Sequence, residues 1–354
     1  MKMRKTLLAL FILLGLSAAA TARQQQAADD GAEDEVERVS VQVVSVPVSV
    51  TDRDGRFVAD LRREEFRLTD NGAEQPITYF AAVEQPFSVL LLLDTSGSNV
   101  LRLQDMQESA VRFVGQLRPQ DRVLPVAFDN DVVALLDRWS GDRTRLAAAI
   151  RSARTGMAVG PGDIETKTDR AGKTYTLRRV NTRLYDAVGK AVAELGRMRG
   201  RKALILFTDG LDTASTAATD KSTTEQAERL DALVYVVQYG RAANGAQYGR
   251  APNGVPYPRG NSHSKRVEAG DYLKGLAEKT GGRLYHGDDL GRIADAFTSI
   301  AEELRRMYSI GYQPPPLARP GERRELKVSV RRERVAVRAR RTYVFSPPAP
   351  TPAK

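Results

Sequence analysis

Three unbroken apolar runs constrain this chain more than any other feature: "FSVLLLLD" at 87–94, "KALILFTD" at 202–209 and "LVYVVQYG" at 233–240. A strand with one wet face alternates apolar and polar residues, so a run without alternation describes a strand covered on both faces. Each run is too short to cross a membrane as a helix. Apolar residues at helical spacing follow the first run at Met106, Ala110, Phe113, Val114 and Leu117. Further helical patterns lie in "DRTRLAAAIRSA" (142–153), "RLYDAVGKAVAELGRM" (183–198), "TEQAERLDA" (224–232), "DYLKGLAEKTGG" (271–282) and "LGRIADAFTSIAEELRRM" (290–307). Additional strands are predicted at "DRVLPVAF", "DVVALLDRW" and "RLYH". This alternation predicts an α/β domain over 85–306, with a doubly wound, mostly parallel sheet between two helix layers.

The flanks read differently. "VSVQVVSVPVSVTD" alternates with the period of a half-buried strand, and "FRLTDNGAEQPITYF" places two short strands around Asn71-Gly72, a strong hairpin signal. Leu326, Val328, Val330, Val335 and Val337 alternate again near the other end. Fewer than fifty residues of sheet bury two faces poorly. The segments 39–84 and 307–345 are therefore expected to pair into one small β-sandwich-like domain with the α/β domain inserted. Two polar, Gly-containing segments, 156–180 and 240–266, are expected to be surface loops.

A basic start, the apolar "TLLALFILLGLSAAA" and the small-residue "ATA" predict a signal peptide over 1–22 and an exported, periplasmic, cell-surface or secreted product. Residues 23–38 and 346–354 are expected to be a disordered leader and tail, and no transmembrane segment is expected after cleavage. The formal charge of +10 falls to +7 once the three cations of the signal are removed. The basic stretch at 323–341 would suggest nucleic acid in a cytoplasmic protein. Export argues against that partner, and solvated strand faces or anionic surfaces are expected instead. The absence of Cys excludes disulfides, thiolate metal sites and Cys nucleophiles.

Ligands of open parallel sheets bind beyond the carboxyl ends of the strands. There the first apolar run delivers Asp94, Ser96 and Ser98, the second delivers Asp209 and Gly210, and the loop entering the helix at Leu184 delivers Thr182. Two carboxylates and three hydroxyls, without His or Cys, form an oxygen-only set suited to a hard cation. Three hydroxyls can bind Mg²⁺ directly while the carboxylates hold its waters. A strand end followed by a helix cap would also favour Asp and Ser in the first of these loops.

At these residues the sequence resembles the von Willebrand factor A domains and their metal-ion-dependent adhesion site, whose pattern is D-x-S-x-S, a later Thr, and a later Asp-Gly. Here these are "DTSGS" at 94–98, Thr182 and "TDG" at 208–210. The flanking β pieces resemble those of exported bacterial von Willebrand factor A-related proteins of a kind common in Acidobacteria. The resemblance implies a Rossmann-like fold over 85–306, with Ser96, Ser98 and Thr182 as direct ligands and Asp94 and Asp209 acting through water. It implies a divalent cation, Mg²⁺ foremost with Mn²⁺ or Ca²⁺ as alternatives, and a protein partner that offers an Asp or Glu carboxylate. The family often has Gly-Gly before the threonine, where this chain has Val180-Asn181.

Three functional classes follow. The first is a non-enzymatic, metal-dependent binding module. A scaffold with a vestigial site is the second and a metal-dependent hydrolase the third. Against an enzyme, an aspartyl-phosphate motif would need an acid where Ser96 stands, and no G-x-S-x-G surrounds Ser96. Tyr248, Arg250 and Tyr257 are candidate partner-binding residues, because Tyr and Arg make interface hot spots; a mobile insertion accounts for them equally. Asp212 is expected to orient its loop, Asp52 and Asp54 to form a turn, and His263 and His286 to lie at the surface, His263 in a loop. Oligomeric state is not legible in the sequence.

Overall fold

A computed structural model describes residues 43–82, 84–97, 102–156, 181–239, 262–287, 290–315 and 318–345, and the strands 164–168 and 174–178. Of 164–168, 174–178, 262–266 and 290 it describes the backbone alone. The predicted signal, leader and tail, Ser98, and the loop holding Tyr248, Arg250 and Tyr257 lie outside the described residues.

The three apolar runs are neighbours. Strands β5 (Phe87–Asp94), β10 (Arg201–Thr208) and β11 (Leu233–Gln238) pair in parallel inside a six-stranded sheet. On the other side of β5 lie β6 (Arg122–Phe128), parallel, and the short antiparallel edge strand β7 (Val132–Ala134); β12 (Leu284–His286) closes the opposite edge. Every residue of β5 is buried. Period-two alternation divides its side chains between two cores. Val89, Leu91 and Leu93 meet α1 (Leu103–Gly115), α2 (Arg143–Ser152) and α6 (Leu290–Arg306). Leu90 and Leu92 meet α3 (Leu184–Gly196), α4 (Asp220–Arg229) and α5 (Ser262–Thr280). Each buried Leu contributes about 1.5–3 kcal/mol of transfer free energy, so both helix layers are anchored on this one strand. The expected doubly wound, mostly parallel sheet is present.

Two four-stranded antiparallel sheets accompany it. One runs β15 (Ala336–Ala339), β1 (Val44–Thr51), β13 (Tyr308–Tyr312), β4 (Tyr79–Ala81). The other runs β16 (Thr342–Val344), β14 (Arg323–Val330), β2 (Phe66–Asp70), β3 (Ala73–Gln75). Their inner faces share a core of Val46, Val48, Val50, Leu68, Tyr308 and Ile310. Strand β1 precedes the central sheet and β13 follows it, yet they pair directly from Val44↔Tyr312 to Val48↔Tyr308.

Three local expectations need correction. The segment 156–180 is not loop throughout, because β8 (Ile164–Thr168) and β9 (Thr174–Arg178) pair antiparallel within it. Helix α5 starts at Ser262, well before the predicted Asp271, which places His263 in a helix rather than a loop. The arginines of the basic C-terminal stretch are not all solvated. Arg324 and Arg340 are buried. Arg324 Nε donates to both oxygens of the buried Asp70, at 2.8 and 3.0 Å, and Tyr312 and Tyr343 donate to the same carboxylate. A guanidinium surrounded by acceptors tolerates burial that an unpaired one would not. The predicted stop of α5 at Gly281-Gly282 is present. Gly281 has φ +82°, and a Cβ there would lie 2.5 Å from the Arg340 nitrogen, so only glycine fits this helix end.

One residue ties the last helix to the sandwich. Arg201, buried at the start of β10, donates to the carbonyls of Leu304 (2.6 Å) and Met307 (2.9 Å) and to Ser309 Oγ (3.1 Å). It thereby satisfies carbonyls that the end of α6 leaves open.

Candidate metal centre

At the carboxyl end of the parallel sheet, β5 delivers Asp94, fully buried, followed by the buried Thr95 and Ser96. The register pairs Leu93 with Phe207, which brings Asp94 beside Thr208 on β10. Thr208 Oγ1 donates to Asp94 Oδ2 at 2.7 Å and accepts the Gly210 amide at 3.0 Å. The Ser96 amide donates to Asp94 Oδ1 at 3.0 Å. Burial, and then the negative charge of Asp209, push the Asp94 carboxyl up to about 7; hydrogen bonds from Ser96 and Thr208 oppose the shift. Asp209 is only half-buried and accepts the Leu211 amide at 3.0 Å, so the centre meets solvent on this side. Gly210 has φ +87°, and a Cβ there would lie 2.8 Å from Leu273 Cδ1. Glycine at 210 is thus favoured where the loop passes over α5.

The second loop enters α3. Thr182 is 5% exposed, and its amide donates to Thr213 Oγ1 at 2.8 Å while its carbonyl accepts the amides of Thr213 and Ala214. Helix α3 and the loop after β10 grip each other through two acids. Asp212 accepts the Tyr185 amide and the Ser215 hydroxyl, the orienting role expected of it. Asp186 accepts the amides of Thr216, Ala217 and Ala218.

The exit of β6 completes the surroundings. Thr95 Oγ1 donates to the Phe128 carbonyl and to Asp129 Oδ2, both at 3.1 Å. Asp129 and Asn130 are buried, and they accept the amides of Arg183 (3.0 Å, on the Asp129 carbonyl) and Asn181 (2.7 Å, on Asn130 Oδ1).

Of the five residues expected as ligands, Asp94, Ser96, Thr182 and Asp209 therefore lie in three hydrogen-bonded loops at one end of the sheet; Ser98 is outside the described residues. Thr208, Thr213, Asp129 and Asn130 were not singled out from the sequence. Thr208 carried a signal, since it stands directly before the acid at a strand end. The other three carried none beyond lying at a strand end or loop. Asp52 accepts the amides of Asp54 and Arg56, as a turn requires, and His286 is exposed.

The donor set fits a hard cation. Among the described residues no group of three or more His, Cys, Asp or Glu gathers into a metal site, so a soft or carboxylate-rich centre has no support there. A buried carboxyl raised by a second carboxylate, with hydroxyls around it, is the arrangement in which a divalent cation restores charge balance.

Sheet order, helices on both faces and the position of Asp94 and Ser96 at the end of the central strand agree with the resemblance. The fold is a doubly wound α/β sheet, the architecture that the resemblance to von Willebrand factor A domains implies. No protein-family model matches the sequence, and no curated protein does. Among solved structures, the chain is similar to the conserved hypothetical protein BatB from Bacteroides thetaiotaomicron, at 18% identity over 61% of this chain and 98% of that one, TM-score 0.42. It is similar to a von Willebrand factor type A protein from Catenulispora acidiphila, at 11% identity over 87% of this chain and 75% of that one, TM-score 0.43. It is also similar to proximal thread matrix protein 1 of the mussel byssus with a zinc-occupied MIDAS motif, at 12% identity over 67% of this chain and half (50%) of that one, TM-score 0.44. At these identities and scores, what those proteins bind does not transfer to this chain. No described helix is long and apolar enough to cross a membrane.

Proposed function

We propose that this protein is an exported, non-enzymatic binding module that captures an acidic residue of a protein partner through a divalent cation. Ser96, Ser98 and Thr182 would hold the cation directly, and Asp94 and Asp209 would hold its waters. The observation that carries this reading is the buried Asp94 at the end of β5, with Thr182 and Asp209 in loops bound to each other around it. Bound there, Mg²⁺ would supply a Lewis-acidic position for a carboxylate. Few direct anionic ligands would leave that position strongly attractive to a partner's Asp or Glu. Thr208 and Ser96 hold the Asp94 carboxylate in place, and the half-buried Asp209 gives the approach from solvent. The domain limits adopted for this reading are 85–306 for the binding domain and 39–84 with 307–345 for the sandwich that carries it. Tyr248, Arg250 and Tyr257 are assigned to the partner-facing surface.

Calorimetric titration of the mature protein with Mg²⁺ and Mn²⁺, beside Asp94→Ala, tests the reading. Saturable binding by the wild type and its loss in the variant are expected. Indistinguishable titrations would remove the site.

A further inference from the structure

We infer that Asp129 and Asn130, at the exit of β6, are the positioning pair that sets Thr182 for the cation, in place of the Gly-Gly flexibility this chain lacks before that threonine. The inference rests on the metal-dependent reading above and adds to it residues outside the D-x-S-x-S, Thr and Asp-Gly pattern.

The argument begins with what a hydroxyl ligand needs. Mg²⁺ accepts oxygens only within a narrow octahedral range near 2.0–2.1 Å, and supporting contacts must hold a donor within about 0.5 Å of its productive place. Thr182 cannot be fixed by its own helix, since α3 begins at Leu184. Its position depends on what holds the backbone on either side of it. On the upstream side the Asn181 amide donates to Asn130 Oδ1 at 2.7 Å. On the downstream side the Arg183 amide donates to the Asp129 carbonyl at 3.0 Å. The amide of Thr182 itself turns the other way, to Thr213 Oγ1 at 2.8 Å. Three successive amides therefore have assigned acceptors, two of them from the pair at 129–130.

The same pair reaches the first loop. Asp94 is opposite Phe128 in the β5–β6 register. Thr95, between Asp94 and Ser96, donates its amide to the Phe128 carbonyl at 2.9 Å and its hydroxyl to Asp129 Oδ2 at 3.1 Å. Asp129 Oδ1 accepts the Asn130 amide at 2.6 Å, which fixes the pair internally. A ring of hydrogen bonds results, from Asp94 to Thr208 on β10, through the loop after β10 to Thr213, across to Thr182, back through 129–130 to Thr95. Asp129 is fully buried and Asn130 is 4% exposed, so water does not compete for these bonds. Asp129 accepts with both of its side-chain oxygens within the ring, which ties the first loop to the pair at 129–130.

The test compares the wild-type protein, Asn130→Ala, Asn130→Asp and Asp94→Ala by Mg²⁺ calorimetry, with a thermal melt of each in EDTA. Asn130→Ala should lose tenfold or more in Mg²⁺ affinity, the size of effect that removing a partner behind a ligand produces. Asn130→Asp keeps an acceptor for the Asn181 amide and, although it buries a second carboxyl beside Asp129, should bind Mg²⁺ more tightly than the alanine variant. If the alanine variant melts too early to titrate, Asn130→Ser, whose hydroxyl is too short to reach that amide, carries the same expectation. A folded Asn130→Ala that binds as the wild type does would overturn the inference and leave the metal site standing. So would an Asn130→Asp as weak as the alanine variant. A wild type that fails to bind, like Asp94→Ala, overturns the underlying reading together with this one.

Discussion

Thr208→Val asks whether the Asp94 carboxylate is held by one particular hydroxyl. Valine keeps the branched shape of threonine and leaves no cavity, so the whole effect comes from polar pairing. Two bonds are lost: the 2.7 Å donation to Asp94 Oδ2 and the 3.0 Å acceptance of the Gly210 amide, both buried. A buried group left without its partner costs about 1–3 kcal/mol, with the upper end for a charged one. Asp94 keeps the Ser96 amide on its other oxygen, which argues for a total of about 2–4 kcal/mol rather than the full sum. Urea unfolding in EDTA should report this loss, and Thr208→Ser, which restores both bonds, should recover most of it. Mg²⁺ affinity should fall with stability in the valine variant, because the carboxylate loses one of the bonds that fix its orientation. A Thr208→Val protein within about 0.5 kcal/mol of wild type, the range of an inconsequential surface change, would refute the reasoning about how Asp94 is held.

Other outcomes follow from the same geometry. The Asp94 carboxyl is raised to about 7 by burial and by Asp209; Mg²⁺ binding needs it ionised, so affinity measured by calorimetry should rise about tenfold from pH 6 to pH 8 and release protons on the way. In EDTA the sign reverses: a carboxyl raised by folding makes the folded state lose stability as pH climbs from about 4 to 7, which melts across that range would detect. Arg201→Met should cost about 2–4 kcal/mol, since it strands the carbonyls of Leu304 and Met307, while Mg²⁺ affinity stays unchanged; a coupled loss of affinity would contradict its purely structural placement. Gly210→Ala should lower the melting temperature through its positive φ and the clash with Leu273. The left-handed backbone alone costs a non-glycine residue about 1–2 kcal/mol, and an unchanged melt would argue that the loop after β10 takes another course.

The sequence determined those features that repeat at short range. An unbroken run such as 87–94 can be stable only between two apolar layers, and helical spacing in the intervening segments supplies those layers, so the doubly wound sheet was legible without coordinates. The position of Asp94 at the end of its strand was legible for the same reason, because the run stops at the first charge. Tertiary structure alone decided where polar atoms find partners. Arg324 looks like its solvated neighbours in the sequence, yet it is buried against Asp70, 254 positions away. Asn130 carries no motif, yet it accepts the amide of Asn181, 51 positions away. The pairing of β8 with β9 was hidden because β8 has a single apolar residue, Ile164, and the alternation in β9 is confined to Tyr175 and Leu177, too short a signal within a polar segment. Burial preference is a property of each residue and its near neighbours, whereas a hydrogen bond in the interior belongs to two distant residues that only the folded chain brings together.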